Sequence, residues 1–287
     1  MKIKPWSTPI GQESKRTIPC TLCQSETFKA SINCGDYFYV SCTQCGLVQI
    51  NPQPVSEEVK KRYDELWGED YLLYELGNEK NFLNLALLAL KDVGFDAIEE
   101  GFMKAGKARV LDIGCATGAL LATLRERGWE CTGVEISGPQ AQYAIKNKNL
   151  DIRNAALEEN HFPDESFEVV IASHLIEHLN DPGSFVREVK RILVNGGWFI
   201  VTTPNIAGFQ AKLFRSEWRS ALNDHLYLFS IKTLSALLKT NDFAIQKTVT
   251  WGGLAAGLAP PFVKRFIDKT AKRFGFGDVM VISGRKL

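Results

Sequence analysis

Two acids and two glycines, set along Val110-Leu-Asp-Ile-Gly-Cys-Ala-Thr-Gly118 and Cys131-Thr-Gly-Val-Glu135, are the residues of this chain best suited to grip a polar ligand. An apolar strand pattern ending in Asp112-Ile-Gly114 runs through Cys115, Ala116 and Thr117 into Gly118 and a helix. That order predicts a glycine turn at the carboxyl edge of a parallel sheet, where open α/β folds bind ligands. The dinucleotide spacing G-x-G-x-x-G fails, because Ala116 stands at its second glycine and Ala119 at its third. The second glycine admits a pyrophosphate, so its absence points to a nucleotide without phosphates. S-adenosylmethionine fits that description. Asp112 and the Gly114 carbonyl offer acceptors to its ammonium, and the helix N-terminus after Gly118 suits its carboxylate. Glu135, followed by Ile136, lies at the offset from which an acid grips both ribose hydroxyls.

A second constellation is Cys20-Thr-Leu-Cys23 with Cys42-Thr-Gln-Cys45, two C-x-x-C pairs separated by 18 residues. This is the spacing of a four-thiolate zinc ribbon, and Gly46 suits the tight knuckle after the second pair. Zinc is preferred over iron because a closed thiolate site without a redox partner is structural. Cys115 and Cys131 read as small apolar fillers, and Cys34 as a loop residue. Between Thr17 and Val55 the only cation is Lys29, against Glu26 and Asp36, so the ribbon is not a phosphate-binding module.

The third set is histidine. The chain has 4, of which His174 and His178 lie in one short segment and His225 in Asn223-Asp-His-Leu-Tyr-Leu-Phe229. Methyl transfer from a sulfonium is an in-line displacement that asks the protein for positioning, desolvation and one proton acceptor. His178 is the leading base, with Glu177 or Asp181 to orient it, and packing of the next helix is its alternative role. His225 is the second candidate, and His174 is expected to line the cofactor pocket. No metal-spaced His/Asp/Glu cluster is visible in the catalytic part, which argues against a magnesium mechanism.

Positioning these residues takes an alternating strand and helix pattern. Strands are expected at 109–113, 130–134, 169–172, 198–202, 244–250 and 279–283, and helices at 119–127, 141–147, 183–193 and 231–239. The fold class is α/β: a Rossmann-like, doubly wound, mostly parallel seven-stranded sheet with an N-terminal zinc ribbon. Residues 1–16 read as a flexible arm, 17–55 as the ribbon, 56–105 as a helical linker and lid, and 106–287 as the catalytic domain with an acceptor-covering insertion near 206–230. Ser56-Glu-Glu is expected to start one helix, and a second runs from Asn81 to Val93, ended by Gly94. Tyr63, Tyr71 and Tyr74 precede the core, with Tyr71 placed over the cofactor as part of the lid and core packing as the alternative.

The length of 287 residues accommodates one α/β core plus a small module, and a net charge of +1 provides no field to attract a polyanion. Neither a secretory leader nor a membrane-length apolar run is visible, so a cytoplasmic location is expected. The tail Pro261–Phe274 is basic, with Phe262, Phe266 and Ile267 on one prospective face. Packing on the domain is preferred there over contact with a membrane surface and a lipid-linked acceptor.

From about Lys107 to Phe243 the chain resembles class I S-adenosylmethionine-dependent methyltransferases. After the glycine turn, Phe162-Pro-Asp-Glu-Ser-Phe-Glu-Val-Val170 is similar to the family's turn into strand four, and Ala172-Ser-His-Leu-Ile-Glu-His178 to its post-strand segment. Leu193-Val-Asn-Gly-Gly-Trp-Phe-Ile-Val-Thr-Thr-Pro-Asn205 is similar to the family's strand-five entry, with Asn195 in place of proline. The resemblance implies that Ser173 and His174 border the cofactor. Where many members place an Asp against adenine this chain has Ala156, so the backbone of Ala156 and Leu157, or Glu158, is left to meet the base. Ubiquinone-type and polysaccharide-associated O-methyltransferases are the nearest branch, which implies a small-molecule or glycan acceptor. N- or C-methylation, a ribbon-guided nucleic-acid methyltransferase and a non-catalytic cofactor-binding protein remain the alternatives.

Overall fold

The computed structural model describes residues 14–55, 68–253 and 260–287. Most of the expected arm, the helix start at Ser56 and Tyr63 lie outside them.

The cysteine module is a small antiparallel sheet. Strand β1 (Lys15–Arg16) pairs with β5 (Gln53–Pro54), while β2 (Phe28–Asn33), β3 (Phe38–Cys42) and β4 (Val48–Ile50) form a meander. The meander gains a fourth strand from far along the chain, β11 (Tyr227–Leu228), which pairs with β4. Ribbon and insertion therefore share one sheet.

Helix α1 (Gly68–Val93) runs 26 residues without a break through the point at which a helix was expected to begin, with Glu69 and Asp70 in its first turn. Gly94, at φ +82°, turns the chain into α2 (Phe95–Lys104), a conformation that glycine enters at no steric cost. The sheet that follows matches the expected alternation. In chain order it comprises β6 (Arg109–Ile113), α3 (Ala119–Glu126), β7 (Glu130–Val134), α4 (Gly138–Lys148) and β8 (Asp151–Arg153). Then come β9 (Phe167–Ser173), α5 (Pro182–Ile192), β10 (Leu193–Pro204), α6 (Phe209–Phe214), β11, α7 (Ile231–Lys239), β12 (Phe243–Trp251), α8 (Pro261–Phe274) and β13 (Val279–Lys286).

Seven strands form one sheet in the order β12-β13-β10-β9-β6-β7-β8. From β10 to β8 every pairing is parallel, and β13 alone runs against its neighbours. The strand order reverses between β6 and β9, and the crevice at their carboxyl ends is the fold's ligand-binding edge. Both faces are covered, with Leu111, Val170, Val186 and Val201 in one core and Val110, Leu121, Ile171 and Ile200 in the other. Near-continuous apolar runs such as Val169–Ala172 are what a parallel strand buried on both faces requires.

Helix α6 falls in the insertion expected near 206–230, while β8 and β11 have no counterpart in the sequence reading. Asp-Ile-Arg153 buries one residue, too short a stretch for a period to show. Helix α8 packs on the domain as expected, through the buried Ala271, whose carbonyl accepts from Thr250. Phe262 and Phe266 point outward, and Ile267 turns toward Gly253, so these three do not share a face.

Gly118 marks one close approach in the main domain. It sits at φ +73°, and a Cβ there would come within 2.5 Å of the Leu150 Cδ1 atom. Replacement by alanine combines backbone strain with overpacking, so Gly118→Ala is expected to lower unfolding stability by about 2 kcal/mol. Denaturant titration checks this, and an unchanged midpoint refutes the packing role.

Candidate functional site

The glycine turn leaves β6 at Gly114 and enters α3 at Gly118, which brings it beside the end of β7. Gly114 and Cys115 donate to the Val134 carbonyl, at 2.8 and 3.2 Å. Glu135, the first residue past β7, closes the turn from the other side. Its carboxylate accepts from the Ala116 amide at 2.9 Å and from the Ser137 amide at 2.8 Å. Ala116 lies at φ +48°, so the slot where a dinucleotide enzyme keeps glycine holds an alanine in left-handed backbone, its amide aimed at the acid. Glu135 thus clamps the turn, and each oxygen retains a second lone pair for a ribose hydroxyl. Asn154, which sequence reasoning missed, braces the same corner by donating to the Glu135 and Ile136 carbonyls at 2.8 and 3.1 Å.

Asp112 is 4% exposed. Burial, reinforced by the nearby charge of Glu135, pushes its carboxyl up to about 8. An acid held that way is matched by a ligand with a cationic end, which is the test that S-adenosylmethionine passes here. The residues that would hold it are Asp112 and the Gly114 carbonyl at the methionine end and Glu135 at the ribose.

Some cofactor expectations narrow. Cys115 is buried with Sγ directed at Gly133, so only its backbone faces the turn's outer side. The Thr117 hydroxyl donates to Glu79 of α1 at 2.7 Å, and Glu79 also pairs with Lys148, so Thr117 ties helix to turn. At the adenine end, Ala156 is engaged by its own turn: its amide meets Glu159 at 3.3 Å and its carbonyl accepts from Asn160 at 2.7 Å. Leu157 buries its side chain in the core.

Helix α1 contributes Tyr71 and Glu75 to the same space. Burial and the charges of Glu75, Glu135 and Asp224 push the Tyr71 hydroxyl well above its ordinary range. Glu75 rises to about 7, chiefly by burial, and interacts with Tyr71, Glu135, Glu79 and His174. Tyr71 therefore stands within electrostatic reach of both the nucleotide acid Glu135 and the opposite wall at Asp224. Glu75 gave no signal in the sequence, where it is one more acid on a helix.

The opposite wall begins where β9 ends, at Ser173. His174 adopts φ +53° and donates its amide to the Thr202 carbonyl at 2.8 Å, with half of its imidazole exposed. Glu177 is fully buried and accepts from the Thr203 hydroxyl at 2.9 Å, with the His174 Nδ1 atom at 3.3 Å. Burial alone would raise this acid, but contact with His174, then the charges of His178 and His225, bring it down to about 2. His178 turns Nδ1 to the Asp224 carbonyl at 3.0 Å and to its carboxylate at 3.7 Å. Asp224 thus faces Nδ1, and of the two neighbours expected to orient the ring Glu177 lies within 4.8 Å of it while Asp181 caps α5 through the Ser184 amide at 2.8 Å. Reach across 46 residues explains why local spacing did not show Asp224.

His225 is buried, with Nδ1 at 2.9 Å from the Ser220 carbonyl, and its ring meets His178 edge to face at 4.7 Å. Burial and then the His178 charge lower its imidazole to about 4. Glu177, His178 and His225 place a possible ligand atom each within 4.8 Å of one another, a cluster that linear spacing did not reveal. The four cysteines of the ribbon do the same. Sγ of Cys20 lies 3.4 Å from Cys45 and that of Cys23 lies 3.5 Å from Cys42, too far for a disulfide. A tetrahedral zinc with Zn–S of about 2.3 Å separates its sulfurs by about 3.8 Å, so Cys20, Cys23, Cys42 and Cys45 fit structural zinc.

Fold and site together define an α/β protein built for S-adenosylmethionine. Residues 81–248, more than half of the chain, match the family model of a methyltransferase domain, and the chain belongs to that family. A Mycolicibacterium smegmatis protein named "probable S-adenosylmethionine-dependent methyltransferase" is 34% identical over 147 residues, 49% of this chain and 53% of that protein. A ubiquinone biosynthesis O-methyltransferase of a Bradyrhizobium species is 31% identical over 102 residues, 34% of this chain and 40% of that one. The chain thus spans about half or less of these relatives. A chain of the Haloferax volcanii complex between the Trm112 methyltransferase activator and a methyltransferase has the same fold, with a TM-score of 0.56 at 18% identity over 74% of this chain and 93% of that one. No described helix is long and apolar enough to cross a membrane.

Asp112 generates a pH prediction. Its folded value of about 8 exceeds the ordinary 3.8, so its stabilising contribution is complete below pH 3.8 and is lost as pH rises through 8. A cationic ligand reverses this by favouring the ionised form. S-adenosylmethionine binding is therefore expected to release up to one proton below pH 8 and to tighten by at most about tenfold per pH unit. Calorimetry in buffers of different ionisation enthalpy measures the release. Asp112→Asn should flatten the slope, and a slope that survives the substitution assigns the proton elsewhere.

Proposed function

We propose that this protein transfers a methyl group from S-adenosylmethionine to a hydroxyl of a small acceptor, a sugar or a nucleotide- or lipid-linked glycan, with His178 as the base. The observation that carries the reading is the hydrogen bond from His178 Nδ1 to the Asp224 carbonyl, with the Asp224 carboxylate behind it. A carbonyl can only accept, so this contact selects the tautomer whose lone pair is on Nε2. A hydroxyl must shed its proton as its oxygen is methylated, so a built base is what this acceptor class asks for. When bound, S-adenosylmethionine supplies an electrophilic methyl on a good leaving group. Asp112 and Glu135 hold the donor, Tyr71 covers the space between the two walls, and Nε2 of His178 takes the proton as the new O–CH₃ bond forms.

Buried His225 suits a different task. A base near 4 accepts a hydroxyl proton with little driving force, so its ring serves as the wall that holds His178 upright. The ubiquinone O-methyltransferases among the relatives support oxygen as the methylated atom. The weakly charged ribbon supports a small acceptor over nucleic acid, and a salt-sensitive RNA affinity would reverse that choice.

A panel of hydroxylated sugars and glycans, incubated with labelled S-adenosylmethionine, tests the acceptor class. Methylation of an amine or carbon acceptor with every hydroxyl left untouched sinks the choice of atom. On the acceptor found, His178→Ala is expected to lower kcat by about 100- to 10,000-fold and leave cofactor affinity within twofold. Asp224→Asn should cost about tenfold. If His178→Ala retains the parent rate, the base is another group.

A further inference from the structure

The thiolate knuckle and the acceptor wall are remote in sequence, yet a short run of bonds joins them. Cys42 ends strand β3, and three residues earlier on that strand stands Tyr39, 1% exposed. Its hydroxyl lies 2.6 Å from the Leu222 carbonyl and 2.9 Å from the His225 carbonyl, sharing its one proton between them. Tyr37, which meets Tyr39 edge to face at 5.8 Å, donates to the Ala221 carbonyl at 2.8 Å. From the next strand, the Ile50 amide donates to the Leu226 carbonyl at 2.9 Å, and Gln49 and Val48 pair with Tyr227 and Leu228. The stretch between 221 and 228 is thus fastened to the ribbon at both ends and in the middle. It is also the stretch that carries Asp224 and His225, both of which contact the His178 ring.

The mechanical logic follows from how little else shapes this stretch. Residues 221–226 belong to no helix or strand, and apart from the His225 amide, which reaches the Leu222 carbonyl at 3.2 Å, the donors named above come from outside the stretch. The donors sit on β3 and β4, strands of 5 and 3 residues closed by the Cys42–Cys45 turn, in which the Gly46 amide donates to Cys42 and the Cys42 amide to Leu47. A meander of such short strands has little core of its own, and a bound metal adds stability to so small a unit. The nucleotide half has a different foundation: Asp112, Gly114 and Glu135 hang on β6 and β7, central strands of the main sheet.

We propose that the cysteine ribbon is the positioning element of the acceptor half-site, acting through Tyr39. With the four thiolates joined on one metal, Tyr39 holds 222–225 so that Asp224 and His225 set the His178 imidazole. When the knuckle opens, that setting is lost and the donor site stays formed. Tyr39 is a positioning residue, since it touches no reactant. The proposal rests on the reading of His178 as the base for its catalytic meaning, but its geometry is testable without any acceptor.

The experiment uses the full-length, zinc-loaded protein and nitrogen-15 histidine spectra, which carry only the rings of His161, His174, His178 and His225. In Tyr39→Phe, zinc content is expected to remain one per chain and S-adenosylmethionine affinity to stay within twofold of the parent. The His178 and His225 ring signals should move, together with their pH titrations, and that of His161 should hold still. Removing zinc from the parent with a chelator should displace the same two signals. Superposable His178 and His225 signals in zinc-bound Tyr39→Phe overturn the proposal, as does a matching loss of cofactor affinity, which would make the effect a general loosening. Should Tyr39→Phe fail to fold, Tyr37→Phe releases Ala221 from the same side and carries the same readout. The two readings fail separately: His178→Ala at full rate removes the base and leaves the histidine signals of Tyr39→Phe displaced.

Discussion

Three of the carboxylates buried along the carboxyl edge of one sheet are compensated in three different ways, and that difference orders the site around them. A carboxylate taken out of water costs several kcal/mol unless hydrogen bonds or an opposite charge replace the lost hydration. Glu135 is satisfied by two backbone amides, and this works because Ala116 occupies left-handed backbone that swings its amide round to the acid. Glu177 is satisfied by Thr203 and by histidine. Asp112 has no cationic partner among the described residues and stays protonated up to about pH 8. The three acids therefore differ in their surroundings: one holds the turn, one is tied to β10 and His174, and one is left without a cationic partner among the described residues.

The donor half of the site was legible in the sequence because it is local. Asp112, Gly114, Gly118 and Glu135 lie within 24 consecutive residues, and the strands that carry them show as apolar runs bounded by turn residues. The cysteine ribbon was legible for the same reason, since ligand spacing within each C-x-x-C pair is a property of one turn. What failed to show was reach. His178 meets Asp224 across 46 residues, and Tyr39 meets Leu222 across 183. The carboxylates expected to orient His178 were its chain neighbours, but a residue adjacent in an irregular segment points where the backbone sends it. Asp181 is sent into the first turn of α5. Helix α1 was read short for a related reason: polar residues from Gly68 to Lys80 mask a period that shows only from Asn81 onward, and a surface helix needs no wide apolar stripe in its outer turns.

The contrast between the halves has a consequence for specificity. The donor site is made of consecutive elements at the switch point of the sheet. The opposite wall is assembled from the post-β9 segment, the 220–228 stretch and the ribbon, pieces far apart in the sequence. Substrate choice can then diverge by changes in ribbon or insertion that leave the donor turn intact, which is how one fold supports many acceptors. The matched relatives agree with this division in one respect. The family match runs over residues 81–248, and the cysteine ribbon lies outside it.

The pairing of a buried, neutral His225 with His178 follows from the same electrostatics. The His225 ring meets His178 edge to face at 4.7 Å, and a charged imidazole that close disfavours a second charge. Burial, and after it the charge of His178, lower His225 to about 4. Glu177 adds the complement: a permanent negative charge, held at about 2, within a few ångströms of both rings.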